Sequence, residues 1–152
     1  MKTTLKENLL TDIAKLSDAD YDEILYIWEA SVKATHHFLK PEEIDFYKPL
    51  ILKYALPELV HLFGIREDNK LCGFMGLSEH KVEMLFISPE HFRRGLGAKL
   101  LEHAVALGYR LVDVNEENPE ALKFYQHQGF HIVSRDELDD SGKPHPILHL
   151  SL

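Results

Sequence analysis

Apolar residues recur at Tyr21, Ile24, Leu25, Trp28 and Val32, the spacing of one face of a helix. Just ahead of them stands Ser17-Asp18-Ala19-Asp20, with an acid three residues after the serine, the arrangement of a capping box. Upstream, Leu9 to Leu16 predicts a first strand. Thr35-His36-His37-Phe38-Leu39 leads to Pro41, and proline suits the first turn of a helix. A second helix is therefore predicted from Pro41 to about Leu56, stopped near Pro57 and broken or kinked at Pro49, which lacks a backbone N–H. The pattern then shortens. Leu59 to Ile65 and Leu71 to Leu77 read as strands around the polar turn Glu67-Asp68-Asn69-Lys70. Val82 to Ile87 is a third strand, apolar except for Glu83, which predicts cover on both faces. A helix follows with Leu96, Leu100, Leu101, Ala104, Val105 and Leu107 on its apolar stripe and Gly108 at its end. Leu111 to Val114 is a short strand. Asn118-Pro119 opens the next helix, since Asn caps and Pro fits the first turn, and Gly129 closes it. Phe130 to Ser134 and Ile147 to Leu152 are the last strands, joined by a mostly polar loop from Arg135 to Pro146. This alternation predicts an α/β fold, a mixed sheet with helices on both faces.

Composition narrows the classes. The 152 residues suit one domain spanning 1–152. Seventeen basic residues against 25 acidic ones give a net charge of −8, which disfavours nucleic acid and anionic membrane as partners. No apolar run approaches the roughly 18 residues of a membrane span. The N-terminal MKTTLKENLL lacks the apolar core and cleavage site of a signal peptide, and Cys72 is the one cysteine, so a reduced, cytoplasmic setting is expected.

Two stretches carry candidate chemistry. Between the strand ending at Ile87 and the helix beginning near Leu96 lies a loop with Arg93, Arg94, Gly95 and Gly97. Glycine lets backbone approach a ligand, and the free N–H groups of a helix start attract anions. With Lys99 nearby, the loop reads as a pyrophosphate cradle; a solvated loop is the alternative. A Walker loop is absent, and the dinucleotide fingerprint fails where Leu100 stands for its third Gly, although Asp113 lies 18 residues after Gly95 as that fingerprint would want. The second stretch runs from Asn118 through Ala121, Phe124, Tyr125 and Gly129 to Phe130.

In this order and spacing the two stretches resemble the GNAT superfamily of N-acetyltransferases. The first is similar to its acetyl-CoA loop, [Q/R]-x-x-G-x-[G/A]; the second to its N-x-x-A-x-x-F-Y-x-x-x-G-F helix. The chain also resembles a narrower bacterial group, the YjaB-like acetyltransferases, through Ser31 to Leu39, Asp113 to Glu116 and Asp139 to Pro146. One departure is that Phe92 stands where the family usually has Gln or Arg.

The resemblance implies a single-domain GNAT-like fold whose two central parallel strands splay apart. It implies acetyl-CoA as acetyl-donor cosubstrate, with the pantetheine arm along the edge of Leu85, Phe86 and Ile87. The pyrophosphate would lie on Phe92, Arg93, Arg94, Gly95, Leu96, Gly97 and Ala98, with Asn118 also touching the cofactor. Tyr125 takes the position of the general acid, and Asp113 that of a base in some relatives. From the residues alone, Tyr125 reads first as a core aromatic beside Phe124, and Asp113 as a strand-end acid facing solvent or a loop N–H. The implied reaction is direct transfer to a primary amine in a ternary complex. The acceptor would enter between the first two helices and the loop of the last hairpin, at His36, Phe38, Asp139 and Asp140. That acceptor is a small molecule or a protein lysine or N-terminus, and a homodimer is left open. Ten histidines show no zinc-type spacing, so no metal is expected. The alternatives are a non-catalytic acetyl-CoA sensor and, more distantly, a dinucleotide-dependent enzyme.

Overall fold

A computed structural model describes residues 13–37 and 39–152. The N-terminal part of the expected first strand, Leu9 to Asp12, and the candidate acceptor residue Phe38 lie outside the described residues. The elements are β1 (Ile13–Lys15), α1 (Tyr21–Thr35), α2 (Pro41–Leu50), β2 (His61–Glu67), β3 (Lys70–Leu77), β4 (Lys81–Ile87), α3 (Leu96–Ala106), β5 (Leu111–Asn115), α4 (Pro119–His127), β6 (His131–Asp136) and β7 (Ile147–Ser151). Their order is the predicted one. They form a seven-stranded sheet, β1-β2-β3-β4-β5-β7-β6, in which only β4 and β5 pair in parallel.

Local signals set most boundaries. Ser17 Oγ accepts from Ala19 N–H and Asp20 returns a bond to Ser17 N–H, so the capping box exists, but it caps a 3₁₀ turn that feeds α1. Pro41 opens α2, and Pro49 disturbs its end: a π-helical turn, Ile51–Ala55, follows immediately. The β2–β3 hairpin turns on Asp68 and Asn69, with φ of 52° and 66°, the paired left-handed residues of a tight two-residue hairpin. Gly108 ends α3 at φ 100°; Leu107, expected on its apolar stripe, lies just past the helix and is exposed.

Two cores sandwich the sheet. Ile24, Trp28, Val32, Ile44, Leu56 and Phe74 form one beneath α1 and α2. Met75, Leu100, Leu101, Ala104, Val112 and Leu150 belong to the other, beneath α3 and α4. The strand buried on both faces is β3, from Leu71 to Leu77. The expectation had assigned that place to β4, which is only partly covered from Met84 to Ile87. The reason lies in its pairing. β4 meets β5 only at Lys81–Leu111 and Val82–Val112. On its other side Met84 faces Gly76 and Val82 faces Leu77, so Glu83 is an extra residue, a β-bulge. Beyond it β4 and β5 diverge, and the β5-facing edge of Met84 to Ile87 has no strand partner among the described residues.

Candidate active site

The splay separates two half-sites. On one side β4 runs through Pro89–His91 into the loop before α3. Arg93 (φ 64°) and Gly95 (φ 77°) are both left-handed, and α3 starts without a side-chain cap. The first helical bond is donated by Lys99 N–H to Gly95 C=O, so the N–H groups of Leu96, Gly97 and Ala98 are not used within the helix. Such an end suits an anion. A Cβ at Gly97 would meet the Phe124 ring at 3.5 Å, ordinary contact, so nothing in the protein fold itself demands glycine there. Arg94 is turned away, its guanidinium 3.1 Å from Glu67 Oε2, whereas Arg93 has no ion pair among the described residues.

Tyr125 lies on α4, its ring edge-on to Phe124 and Phe130 in the core and only 7% exposed. Burial pushes its phenol pKa up, so the hydroxyl keeps its proton through neutral pH. Among the described residues that hydroxyl has no hydrogen-bond partner. Asn118 caps α4 by accepting from Ala121 N–H at 3.2 Å. Its amide also donates to His36 Nε2 at 3.3 Å, tying the start of α4 to the end of α1. Thr35 Oγ1 donates to Ser31 C=O and accepts from His36 Nδ1, both at 2.8 Å, which sets the ring's tautomer. Burial, with His37 adding, pulls the His36 pKa down to about 4, so the ring is neutral.

On the other side of β4 lies a cleft of about 480 Å³. Trp28, Val32, Leu39, Ile51, Met84 and Phe86 supply apolar walls; His36, Glu58, Glu83, Asp139, Asp140 and His145 supply polar groups. The β6–β7 loop is fastened over it. Tyr47 donates to the Asp139 carboxylate, which also accepts N–H bonds from Ser141 and Lys143. His145 bridges Glu43 at 2.6 Å and Glu117 at 2.9 Å, and Lys143 sits over the Phe46 ring. Asp139 is thus engaged in the loop itself, while Asp140 faces the cleft with no ion pair among the described residues.

These features fit what the chain is similar to. The sequence profile of the Acetyltransferase (GNAT) domain matches residues 58–132. Peptidyl-lysine N-acetyltransferase YjaB of Escherichia coli is 36% identical over 94% of this chain and 97% of its own length; the Salmonella typhimurium protein of that name is 34% identical over 93% and 98%. The solution structure of apo YjaB from E. coli covers 91% of this chain and 95% of that one, with a TM-score of 0.82. The chain belongs to the GNAT acetyltransferase family. A PaiA N-acetyltransferase from Thermoplasma acidophilum, solved in complex with coenzyme A, shares the fold at 22% identity, with a TM-score of 0.71 over 92% of this chain and 98% of that one.

This GNAT enzyme is an N-acetyltransferase whose acetyl donor is acetyl-CoA, which removes the dinucleotide alternative. Its residues fit that donor: an uncapped helix start for the pyrophosphate and an open edge of β4, at Leu85 to Ile87, for an extended amide-bearing arm. Asp113, the base suggested by resemblance, is held by Lys81 at 2.7 Å and His149 at 2.6 Å. Among the acids that line the cleft, Glu83 is the one on the central strand, where the sequence pattern shows it only as an exception in an apolar run. Burial raises its carboxyl pKa, against the pull of Lys81. One cluster of metal-type ligands occurs among the described residues, at Glu67, Cys72 and His91, and there the Arg94 guanidinium already occupies the Glu67 carboxylate.

Proposed function

We propose that this acetyltransferase modifies lysine side chains of proteins or peptides, within a ternary complex with acetyl-CoA. The observation that carries the reading is Glu83, placed by the bulge of β4 in an apolar-walled cleft. An aliphatic lysine stem suits Trp28, Val32 and Met84, and an ammonium suits a half-buried carboxylate. The name peptidyl-lysine N-acetyltransferase, carried by relatives at 34–36% identity, supports it.

Each residue has a task in this reading. Backbone N–H groups of Leu96 to Ala98, with Arg93, hold the pyrophosphate, and Phe92 contributes through its backbone. The edge of Leu85, Phe86 and Ile87 pairs with the pantetheine arm, and Asn118 orients the start of α4 beside it. Acetyl-CoA supplies an acyl group activated as a thioester. Glu83 Oε takes a proton from the acceptor ammonium, a task its raised pKa suits. Tyr125 donates its hydroxyl proton at the departing sulfur. Neutral His36 and Asp140 line the acceptor's path. A cytoplasmic location goes with this reading, since Cys72 is buried and unpaired.

The test is a panel of lysine peptides, peptides with a free N-terminus only, polyamines and antibiotic amines, following release of coenzyme A thiol. Lysine peptides are expected to turn over fastest, and Glu83→Gln to lose roughly 10²–10⁴-fold in kcat. Fastest turnover of a polyamine or antibiotic would overturn the acceptor class. Tight acetyl-CoA binding with no turnover of any amine would instead identify a sensor.

A further inference from the structure

A single row of charged side chains crosses four strands beside the cleft. Lys81 Nζ on β4 is 3.4 Å from Glu83 Oε1 and 2.7 Å from Asp113 Oδ2 on β5. Asp113 Oδ1 is 2.6 Å from His149 Nδ1 on β7, and His149 Nε2 is 2.8 Å from Asp136 Oδ2 on β6. Asp113 and His149 are register partners, and their strand neighbours Val112, Val114, Leu148 and Leu150 all point into the α3–α4 core. The row therefore lies on the opposite face, that of the cleft. It begins at Glu83 in the cleft and ends at Asp136, whose side chain is 69% exposed. Its charges alternate when His149 is protonated.

We propose that Lys81 and His149 are positioning residues that set the proton affinity of Glu83, so that the ring proton of His149 tunes the base. This rests on the reading of Glu83 given above. Lys81 is one cation shared by two carboxylates. Both ring nitrogens of His149 face carboxylate oxygens, a geometry satisfied in full only by the imidazolium. While that proton is present, His149 supplies part of the countercharge of Asp113, and Lys81 leans on Glu83 and stabilises its anion. When the ring loses its proton, Asp113 keeps Lys81 as its remaining cation. Glu83, partly desolvated in the cleft, then holds a proton more tightly and becomes the stronger base. The charged groups acting on Glu83 are Lys81, Asp113 and Asp140. Those facing His149 are Asp113 and Asp136. Register also brings Ser134 opposite the ring, and it carries no charge.

The experiment is a ¹³C NMR titration of the Glu83 side-chain carboxyl in the full chain, assigned by Glu83→Gln, with the His149 ring followed in the same samples. The pH profile of kcat/KM on a lysine peptide runs in parallel. In the wild type, Glu83 is expected to show a second, smaller inflection at the pH where His149 titrates, matched by an alkaline rise in kcat/KM. His149→Gln keeps an amide donor but cannot be protonated, and should lose both. Lys81→Met should raise the Glu83 pKa by about one unit or more, tenfold in proton affinity; Lys81→Arg should restore the wild-type value. Identical Glu83 titration in the wild type, His149→Gln and Lys81→Met overturns the proposal alone. Wild-type turnover by Glu83→Gln removes the base assignment, and the proposal with it.

Discussion

The two sides of the β4 splay are built by different means. The proposed cradle before α3 takes seven consecutive residues, Phe92 to Ala98, and offers mainly backbone: left-handed Arg93 and Gly95 and three N–H groups unused within the helix. The acceptor cleft takes side chains from the end of α1, from α2 and the π-helical turn after it, from the bulge of β4 and from the β6–β7 loop. One of its fastenings, His145 to Glu43, joins residues 102 apart. A backbone site tolerates side-chain change, so the proposed cradle is compatible with Phe92 at a position where the family usually has Gln or Arg. A side-chain site tolerates little, and in the proposed reading its composition selects the acceptor.

The sharpest way to break this contrast is Gly97→Asp. The new Cβ fits beside Phe124, so the fold should survive by circular dichroism, while a carboxylate at the helix start should abolish acetyl-CoA binding in calorimetry. Unchanged affinity would mean that the cradle lies elsewhere. Next is Tyr125→Phe. The ring packing remains and the hydroxyl is lost, so kcat should fall about 10²–10⁴-fold with the acetyl-CoA Kd unchanged. Equal turnover would leave Tyr125 a core aromatic only.

Two neighbouring acids of the loop then separate recruitment from construction. Asp140→Asn should raise the amine KM several-fold, most at low salt, with the melting temperature unchanged. Asp139→Asn weakens the bonds from Tyr47, Ser141 and Lys143, each of the class worth about 1.5–3 kcal/mol when one partner is charged. It should lower the melting temperature and raise KM without salt dependence. If the two variants behave alike, the loop is a charge patch and not a fastened wall.

The smallest effect expected is in pH-dependent stability. Burial alone would favour neutral His145, but Glu43 and Glu117 outweigh it and hold the pKa above the ordinary histidine value. Carboxylates at Asp136 and Asp113 do the same for His149. A folded pKa raised above the unfolded one stabilises fully below about pH 6.5, and that contribution is lost as pH rises through the folded value. Denaturant midpoints should therefore decline across that window, and His145→Gln should flatten part of the decline. A midpoint that rises with pH there, in the wild type, would reverse the sign of these pairings.

Particular residues show what was legible. Ser17, Pro41, Asn118, Gly108 and Gly129 act on groups within four residues of themselves, and each marks an element boundary where it was expected. The capping serine misleads only in detail, since the turn it caps is 3₁₀. The cover of β4 differs from its sequence pattern because an apolar run reports that a strand is central, not where its neighbour peels away. The bulge at Glu83 depends on pairing with Gly76 and Leu77 across a hairpin, and no local pattern announces it. Asp113 and Glu83 carry the same chemical promise in one dimension. Only the register of β4, β5 and β7 places Asp113 between Lys81 and His149 and leaves Glu83 in the cleft.

What the chain determined by itself is therefore the order of its elements, the glycine-rich loop that opens α3 and, through two spaced motifs, its family. These depend on contacts a few residues long. The tertiary structure alone decided which acids line the cleft, which aspartate fastens the loop and which histidine touches which carboxylate. The physical reason is that burial and the distance between charges set both pKa and reach, and those distances exist only once strands and loops far apart in sequence have met.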